Sequence, residues 1–203
     1  MKKILLISNH GVGFYNFKKE LVEELLSTGY EVHFAVPYDE KVNGLKELGA
    51  EFHEIDIDRR GMNPLKDLSL TKQFIKLIKS VKPDCLVLHT IKPNIYASFA
   101  AGLYGIPYIN NITGLGSALQ VNGFMAKVLR LMYRISLRKS SGIFFENAGN
   151  MQYFMKYKIG NPDRYIVVPG AGVNTVHFSP DQSNHKADAD PVTFLYIARI
   201  MKE

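Results

Sequence analysis

The sequence predicts an α/β fold in which helices flank a mostly parallel sheet. Apolar, β-branched runs recur along the chain, and segments with helical periodicity separate most of them. The runs are KILLI, EVHFAV, EFHEIDI, DCLVLH, PYINNIT, GIFFE and RYIVVP, at residues 3–7, 31–36, 51–57, 84–89, 107–113, 142–146 and 164–169. This alternation of strand and helix is typical of a sheet built from β-α-β units.

The first helix is predicted from apolar residues spaced three and four apart. These residues, which should share the face turned to the sheet, are Phe14, Phe17, Leu21, Leu25 and Leu26, and Gly29 marks the end of the helix. Further helices are expected over 68–80, 95–104, 124–139 and 150–158. Glycine and proline residues mark the returns to strand between them.

Composition narrows the class of protein. The chain has 203 residues, of which 46% are hydrophobic, so it can bury a sizeable core. Its single cysteine, Cys85, cannot form an internal disulfide, and we expect a reducing cytosolic compartment. No apolar run approaches the roughly 18 residues that a membrane-spanning helix needs, so any membrane association should be peripheral.

The net charge of +6 favours anionic partners. No RNA-binding aromatic signature or long Lys/Arg run accompanies this charge, so nucleic acid is not an expected partner. No zinc-ligand cysteine spacing is present either, and no metal site is expected.

The first candidate site follows the first strand, in the segment SNHGVGFYNF. It contains His10, Gly11 and Gly13, and open parallel sheets bind ligands at the carboxyl ends of their strands. The glycines would allow a ligand to approach the backbone, and the following helix N-terminus suits phosphate. Asn16 stands where a dinucleotide fingerprint needs a third glycine, which disfavours NAD. A tight strand-to-helix turn explains the glycines equally well.

Two further candidate loops follow the fourth and fifth strands. His89, Thr90, Lys92 and Asn94 form a plausible acceptor contact set, in which Lys92 would meet a phosphate and Asn94 would cap the next helix. The segment NITGLGS would place its loop against a sugar or diphosphate, or would simply be a flexible connection. Its candidate residues are Thr113, Gly114 and Gly116.

A basic helix is predicted over AKVLRLMYRISLRKSSG. Its cations recur every three or four residues as Lys127, Arg130, Arg134 and Arg138. An apolar face toward the sheet is expected from Val128, Leu131, Met132 and Ile135. Such a helix can lie on anionic lipid headgroups, although most basic stripes are only solvated.

Several segments resemble the retaining family 4 glycosyltransferases of GT-B fold. The most specific are HTIKPNIY, ITGLG, FFEN and PGAGVN. They are followed by FSP and by FLYIARI, which is expected to form a strand. The resemblance is to the subgroup that builds capsular, O-antigen and lipid-linked oligosaccharides. It implies two Rossmann-like domains, with the acceptor mainly on the first and the nucleotide sugar mainly on the second. By this resemblance, residues 1–180 are the acceptor-side domain, 181–190 a linker, and 191–203 the start of a second domain.

The resemblance also implies residue roles. Pro169, Gly170 and Gly172 would form a hinge, Arg199 would bind the donor diphosphate, and the three loops above would line the acceptor cleft. The donor nucleotide sugar would be a substrate, and no cofactor is expected. No catalytic residue is assigned, because Glu146 fits a loop hydrogen-bonding group better than a general base.

The implied activity is transfer of a hexosyl or N-acetylhexosaminyl unit to a lipid-linked or polysaccharide acceptor at the cytoplasmic face of the membrane. The 203 residues alone are expected to be inactive or nearly so. Two alternatives are a nucleotide-sugar 2-epimerase of similar shape and a Rossmann-type NAD(P)-binding module, in which Asp39 or Glu40 would hold a ribose.

Overall fold

Seven parallel strands form one sheet in the computed structural model, which describes residues 1–59, 61, 63–120, 123–179 and 194–197. The strands are β1 (Lys3–Ile7), β2 (Glu31–Val36), β3 (Glu51–Glu54), β4 (Cys85–His89), β5 (Tyr108–Ile112), β6 (Gly142–Phe145) and β7 (Tyr165–Val167). Each coincides with a predicted run. The α/β prediction and the parallel sheet are therefore confirmed.

Helices connect the strands. They are α1 (Gly11–Ser27), α2 (Val42–Glu47), α3 (Pro64–Val81), α4 (Ser98–Tyr104), α5 (Gly116–Gln120), α6 (Phe124–Ser136) and α7 (Ala148–Lys156). A π-helical turn (Pro93–Ala97) precedes α4, and 3-10 turns cover Leu137–Lys139 and Pro162–Arg164. The short helices α2 and α5 were not predicted, because five or six residues are too few to display helical periodicity.

The strand order β3-β2-β1-β4-β5-β6-β7 determines where a ligand can bind. The chain moves outward in one direction from β1 to β3, then returns to the other side of β1 as β4. Neighbouring connections on the two sides of this switch point diverge, which leaves a crevice at the carboxyl ends of β1 and β4. His10 follows β1, and His89 is the last residue of β4.

Buried side chains from both faces of the sheet explain why its strands read as continuous apolar runs. One core cluster joins Leu5 and Leu86 to Phe74 of α3. A second joins Leu6 and Phe34 to helices α1 and α2, and a third lies around β6. Its largest members are Tyr133, Phe145 and Phe154, which pack edge to face.

The predicted apolar face of α1 is partly wrong. Phe14 is buried, but Phe17 and Leu21 are exposed, and Val22 is buried instead. The buried face is rotated relative to the predicted one. It includes Lys18, whose ammonium lies 3.4 Å from a carboxylate oxygen of Glu146. An inward lysine breaks the apolar pattern from which the face was predicted.

The chain divides into two compact units, Met1–Gly172 and Val173–Glu203. The first contains the sheet. Within the second, Phe194–Ile197 are exposed and are not part of a strand, whereas a strand was expected over FLYIARI at 194–200. The remainder of that predicted strand, the predicted linker 181–190 and Arg199 lie outside the described residues. Among the helices that the structure describes, none has both the length and the apolar character to cross a membrane.

Candidate functional site

His10 begins helix α1. It is the N-cap, and its ring Nδ1 accepts a hydrogen bond from the backbone N–H of Gly13 at 3.0 Å. Burial lowers the pKa of His10, the positive charge of Arg59 lowers it further, and Asp39 opposes both. The neutral imidazole is the form that can accept this bond. The loop expected within SNHGVGFYNF is therefore short, because the helix starts at Gly11.

Close packing accounts for both glycines of this turn. A Cβ at Gly11 would lie 1.9 Å from Oδ2 of Asp39 and 2.9 Å from the carbonyl oxygen of Pro37. A Cβ at Gly13 would lie 2.8 Å from Nδ1 of His10. Larger residues are therefore excluded by the protein itself, which supports the turn interpretation without requiring a ligand.

His89 ends β4 and is almost completely buried. Burial lowers its pKa to about 3, and the nearby Lys18 contributes in the same direction. Its Nδ1 lies 3.2 Å from the side-chain Nδ2 of Asn111, an amide that can only donate, so Nδ1 accepts and Nε2 carries the proton. That buried Nε2–H has no hydrogen-bond partner among the residues described.

A polar network extends from His89 across the carboxyl ends of three strands. The same Asn111 amide lies 3.2 Å from a carboxylate oxygen of Glu146, which in turn pairs with Lys18. Neither Asn111 nor Lys18 is among the predicted site residues. The sequence did contain a signal for Asn111, namely two adjacent asparagines inside the apolar strand YINNI. A buried amide costs free energy unless it is hydrogen-bonded, so such residues indicate a polar network.

Thr90 adopts a strained backbone directly after His89. Its φ is +69°, a left-handed conformation that β-branched residues rarely adopt, and its hydroxyl donates to the carbonyl oxygen of His89. The π-helical turn follows three residues later. Backbone strain and π-helical turns both concentrate at functional sites, and here they adjoin a buried imidazole with a free N–H.

The other two residues of this predicted set are engaged with the protein. The ammonium of Lys92 lies 2.6 Å from Oδ1 of Asp67, and the hydroxyl of Tyr96 donates to the other oxygen of that carboxylate at 2.8 Å. Asn94 lies within the π-helical turn and donates to the carbonyl oxygen of Asn111 at 2.9 Å. The expected helix cap at Asn94 is therefore wrong: its amide ties the turn to β5.

Thr113, Gly114 and Gly116 follow the carboxyl end of β5. Thr113 is exposed, and a Cβ at Gly114 would meet nothing within 4 Å. Gly116 has a φ of +67° where α5 begins, which explains glycine at this position. The structure places these residues just beyond the carboxyl end of β5 without assigning them a contact.

The predicted faces of α6 are partly wrong. Arg130 is 9% exposed, stacks 3.7 Å from the ring centroid of Tyr157, and donates through Nε to the hydroxyl of Tyr153 at 2.8 Å. Leu131 and Ile135, expected to face the sheet, are 54% and 57% exposed. The aromatic side chains of α7 hold the guanidinium inside, which leaves these two apolar residues outside.

The outward face of α6 is therefore apolar with a basic edge. Phe124, Leu131 and Ile135 fall on one helical stripe and are exposed. The exposed cations Lys127, Arg134 and Arg138 lie beside this stripe, although Arg134 also donates to the carbonyl oxygen of Tyr157. A groove of about 420 Å³ adjoins it, lined by side chains that include Leu68, Tyr96, Phe99 and Ile135.

The predicted hinge follows β7. Gly170 and Gly172 have φ of +78° and +81°, and Pro169 precedes them. Only glycine adopts these angles without strain, so the backbone conformation explains why both positions are glycine.

Comparison with known proteins identifies the family. The family model described as glycosyl transferase 4-like matches residues 3–147. A curated relative is 26% identical over 183 residues, covering 88% of this chain and 48% of the relative. It is the N,N'-diacetylbacillosaminyl-diphospho-undecaprenol alpha-1,3-N-acetylgalactosaminyltransferase of Campylobacter jejuni.

Two solved structures have the same fold. A glycosyltransferase from Rickettsia africae matches with a TM-score of 0.65 at 18% identity, covering 91% of this chain and 46% of that chain. A UDP-GlcNAc 2-epimerase from Neisseria meningitidis, bound to UDP-GlcNAc, matches with a TM-score of 0.56 at 16% identity, covering 81% and 46%. At such identities the likeness shows the fold alone.

The chain belongs to the glycosyl transferase 4-like family, since the family model matches well over half of it. Its fold is one Rossmann-like half of the GT-B architecture. The chain spans about half the length of the curated relative it matches.

Proposed function

We propose that this chain is the acceptor-side domain of a retaining glycosyltransferase. The enzyme moves a hexosyl or N-acetylhexosaminyl unit from a nucleotide diphosphate sugar to a polyprenyl-diphosphate-linked saccharide, and the sugar donor is a substrate that needs no separate cofactor. Membership of the glycosyl transferase 4-like family and the diphospho-undecaprenol acceptor in the name of the Campylobacter jejuni relative support this proposal.

The single observation that carries it is the unpartnered Nε2–H of His89 at the carboxyl edge of the sheet. A buried donor without a partner costs free energy, and a hydroxyl or phosphate oxygen of a bound sugar substrate would recover that cost. The Lys18–Glu146 pair and Asn111 hold the imidazole in the tautomer that donates. In this proposal His10, Thr90 and the 113–116 segment line the same edge, and Gly170 and Gly172 act as a hinge.

The test is a transfer assay on a chain extended to the full length of its relatives, with radiolabelled UDP-N-acetylhexosamine and a short polyprenyl-diphosphate saccharide. His89→Ala should lower kcat/KM about five- to tenfold, because one lost hydrogen bond of roughly 1–1.5 kcal/mol corresponds to a factor of that size. Glu54→Gln, on an exposed residue of β3, should leave kcat/KM unchanged. Equal kcat/KM for the wild type and His89→Ala would refute the assigned role of His89.

The same assay separates the alternative activities. Omitting the acceptor and analysing the nucleotide sugar for its 2-epimer tests the epimerase, whose fold this chain shares. A nicotinamide cofactor titration tests the NAD(P)-binding alternative. Epimer formation without an acceptor, or saturable nicotinamide binding, would replace the transferase proposal. The 203 residues alone should show no more than a small fraction of the turnover of the extended chain.

We further propose that the outward face of α6 rests on the anionic cytoplasmic surface of the membrane. Phe124, Leu131 and Ile135 would enter the headgroup region, and the cations beside them would pair with lipid phosphates. This arrangement replaces the predicted stripe of four cations, since Arg130 is buried against Tyr157. A lipid-linked acceptor is presented at such a surface.

Liposome sedimentation tests the membrane contact. Phosphatidylglycerol vesicles should bind the chain and neutral phosphatidylcholine vesicles should bind it much less. Changing Phe124, Leu131 and Ile135 together to Ser should abolish binding, and Lys127→Gln and Arg138→Gln should each weaken it about fivefold, at about 1 kcal/mol per cation. Phe17→Ser, at an exposed phenylalanine of α1, is the control. Equal binding by the triple variant and this control would contradict the contact.

A further inference from the structure

Two histidines and a glutamate converge on strands β2 and β3, at a place that the proposed function does not use. His33 and His53 stack, with Nδ1 of His33 2.9 Å from Nε2 of His53. Carboxylate oxygens of Glu51 lie 3.6 Å from that Nδ1 and 3.8 Å from that Nε2. One ligand atom from each of the three residues therefore forms a small triangle.

The three ligand atoms lie within 4.8 Å of one another, which can be compared with one face of a tetrahedral zinc site. At Zn–N and Zn–O distances of about 2.0–2.2 Å, neighbouring ligand atoms in a tetrahedron lie about 3.3–3.5 Å apart. The two imidazole nitrogens are 2.9 Å apart, Oε2 of Glu51 lies 3.6 Å from Nδ1 of His33, and Oε1 of Glu51 lies 3.8 Å from Nε2 of His53. Small side-chain rotations would equalise them, and two imidazoles with one carboxylate form a donor set that zinc prefers over magnesium or calcium.

A second layer of contacts orients His33. Its Nε2 lies 2.9 Å from a carboxylate oxygen of Glu31, which also accepts from the ammonium of Lys3 at 2.6 Å. The carboxylate can only accept, so Nε2 of His33 carries the proton and Nδ1 presents its lone pair to the triangle. Metal-bound histidines are typically held by a carboxylate in this way, which fixes their tautomer and orientation.

Solvent exposure on one side of the triangle leaves room for a fourth ligand to the ion. The side chain of His33 is 4% exposed, that of His53 20%, and that of Glu51 63%, so the triangle lies between the buried sheet and solvent. Water can complete a fourth position on the solvent side.

We propose that His33, His53 and Glu51 bind a zinc ion, with Glu31 as the carboxylate that orients His33. The site lies on β2 and β3 at one edge of the sheet, whereas the candidate sugar site lies at the carboxyl ends of β1, β4 and β5. The ion therefore takes no part in sugar transfer. It ties the short edge strand β3 to β2, and its effect is on the stability of that edge.

Competition titration of ZnCl₂ against a fluorescent chelator tests the site on the tag-free 203-residue chain. We expect one zinc per chain. His53→Gln and Glu51→Gln should each weaken zinc binding at least about tenfold, and Glu31→Gln should weaken it about 10–100-fold, the usual effect of removing an orienting carboxylate. Glu54→Gln, on the same strand with its side chain on the other face, should bind zinc as the wild type does.

Two further readouts keep the test decisive. Far-UV circular dichroism of each variant shows that it folds, which is expected because Glu51 lies on the surface and His53 is only partly buried. Cobalt(II) in place of zinc should give the visible absorption of a four-coordinate site in the wild type and lose it in His53→Gln. A folded wild type with no stoichiometric zinc, or unchanged zinc affinity in His53→Gln and Glu51→Gln, would show that the histidines are only hydrogen-bonded to each other.

Discussion

Gly11, at the start of α1, occupies a position where the neighbouring atoms leave no room for a Cβ. We predict that Gly11→Ala lowers the free energy of unfolding by about 1–3 kcal/mol, because the new methyl group would press on Asp39 and on the carbonyl oxygen of Pro37. Urea unfolding followed by circular dichroism measures the change. Gly114→Ala is the matched control, since a Cβ there meets nothing, and it should change stability by less than about 0.5 kcal/mol. Equal effects of the two changes would contradict the packing explanation.

His89 should make the stability of the fold depend on pH. Its folded pKa of about 3 is below the unfolded value near 6.5, so between these values the unfolded chain binds a proton that the folded chain does not. The stabilisation is complete above about pH 6.5 and is lost as the pH falls. From pH 7 to pH 5 it should amount to about 2 kcal/mol.

The comparison of wild type with His89→Gln isolates this effect, because every other titrating group is shared. Urea unfolding at pH 7, 6 and 5 should give a flatter dependence for the variant. Parallel pH dependences would mean that His89 is protonated in the folded protein or is not buried.

Sequence patterns located the candidate site better than they assigned its contacts. His10, His89 and Thr90 were predicted because they follow strands, and strand ends are visible in the apolar pattern. Lys92 and Asn94 were predicted for the same reason, but their partners Asp67 and Asn111 are 25 and 17 residues away in the chain. Such partners are set by packing between elements, which local spacing does not encode.

Helix α6 shows the same limit at the scale of an element. Its periodicity correctly predicted a helix, yet the side turned to the protein was misassigned, because an arginine was assumed to face solvent. Arginine has a flat, weakly hydrated cation that stacks on aromatic rings, and Tyr157 provides such a ring. Tyr153 of α7 and Tyr157 just after it are 23 and 27 positions away, so the sequence of α6 alone could not show that Arg130 is buried.

Arg130 should consequently matter more to stability than the other cations of α6. We predict that Arg130→Ala lowers the free energy of unfolding by about 2–3 kcal/mol, through loss of the Tyr157 stack and the hydrogen bond to Tyr153. Lys127→Ala, at an exposed position of the same helix, should cost less than about 0.5 kcal/mol. Chemical denaturation of the two variants in parallel measures the difference. A similar small cost for both would place Arg130 in solvent.

At the scale of the whole molecule, the buried sheet made the fold predictable. All seven strands of the described sheet coincide with runs identified in the sequence. The inner strands carry few polar residues because both of their faces are covered, whereas the edge strands β3 and β7 are partly exposed. The weakest predictions concerned segments with little burial of their own. The exposed residues Phe194–Ile197 read as an apolar strand in the sequence, but a strand also needs a neighbour to accept its hydrogen bonds, and a sequence run does not supply one.

The first unit, residues 1–172, should therefore fold by itself. All three core clusters consist of residues numbered 165 or lower, and β7 closes the last of them through packing of Tyr165 on Phe145 at 4.9 Å. A chain ending after Gly172 should match the 203-residue chain in urea midpoint, with a difference in unfolding free energy below about 0.5 kcal/mol. A chain ending after Lys158 lacks the buried Ile159 and all of β7, and it should lose about 3 kcal/mol or more. Loss of cooperative unfolding in the chain that ends after Gly172 would show that residues beyond Gly172 are needed to complete the core of the sheet.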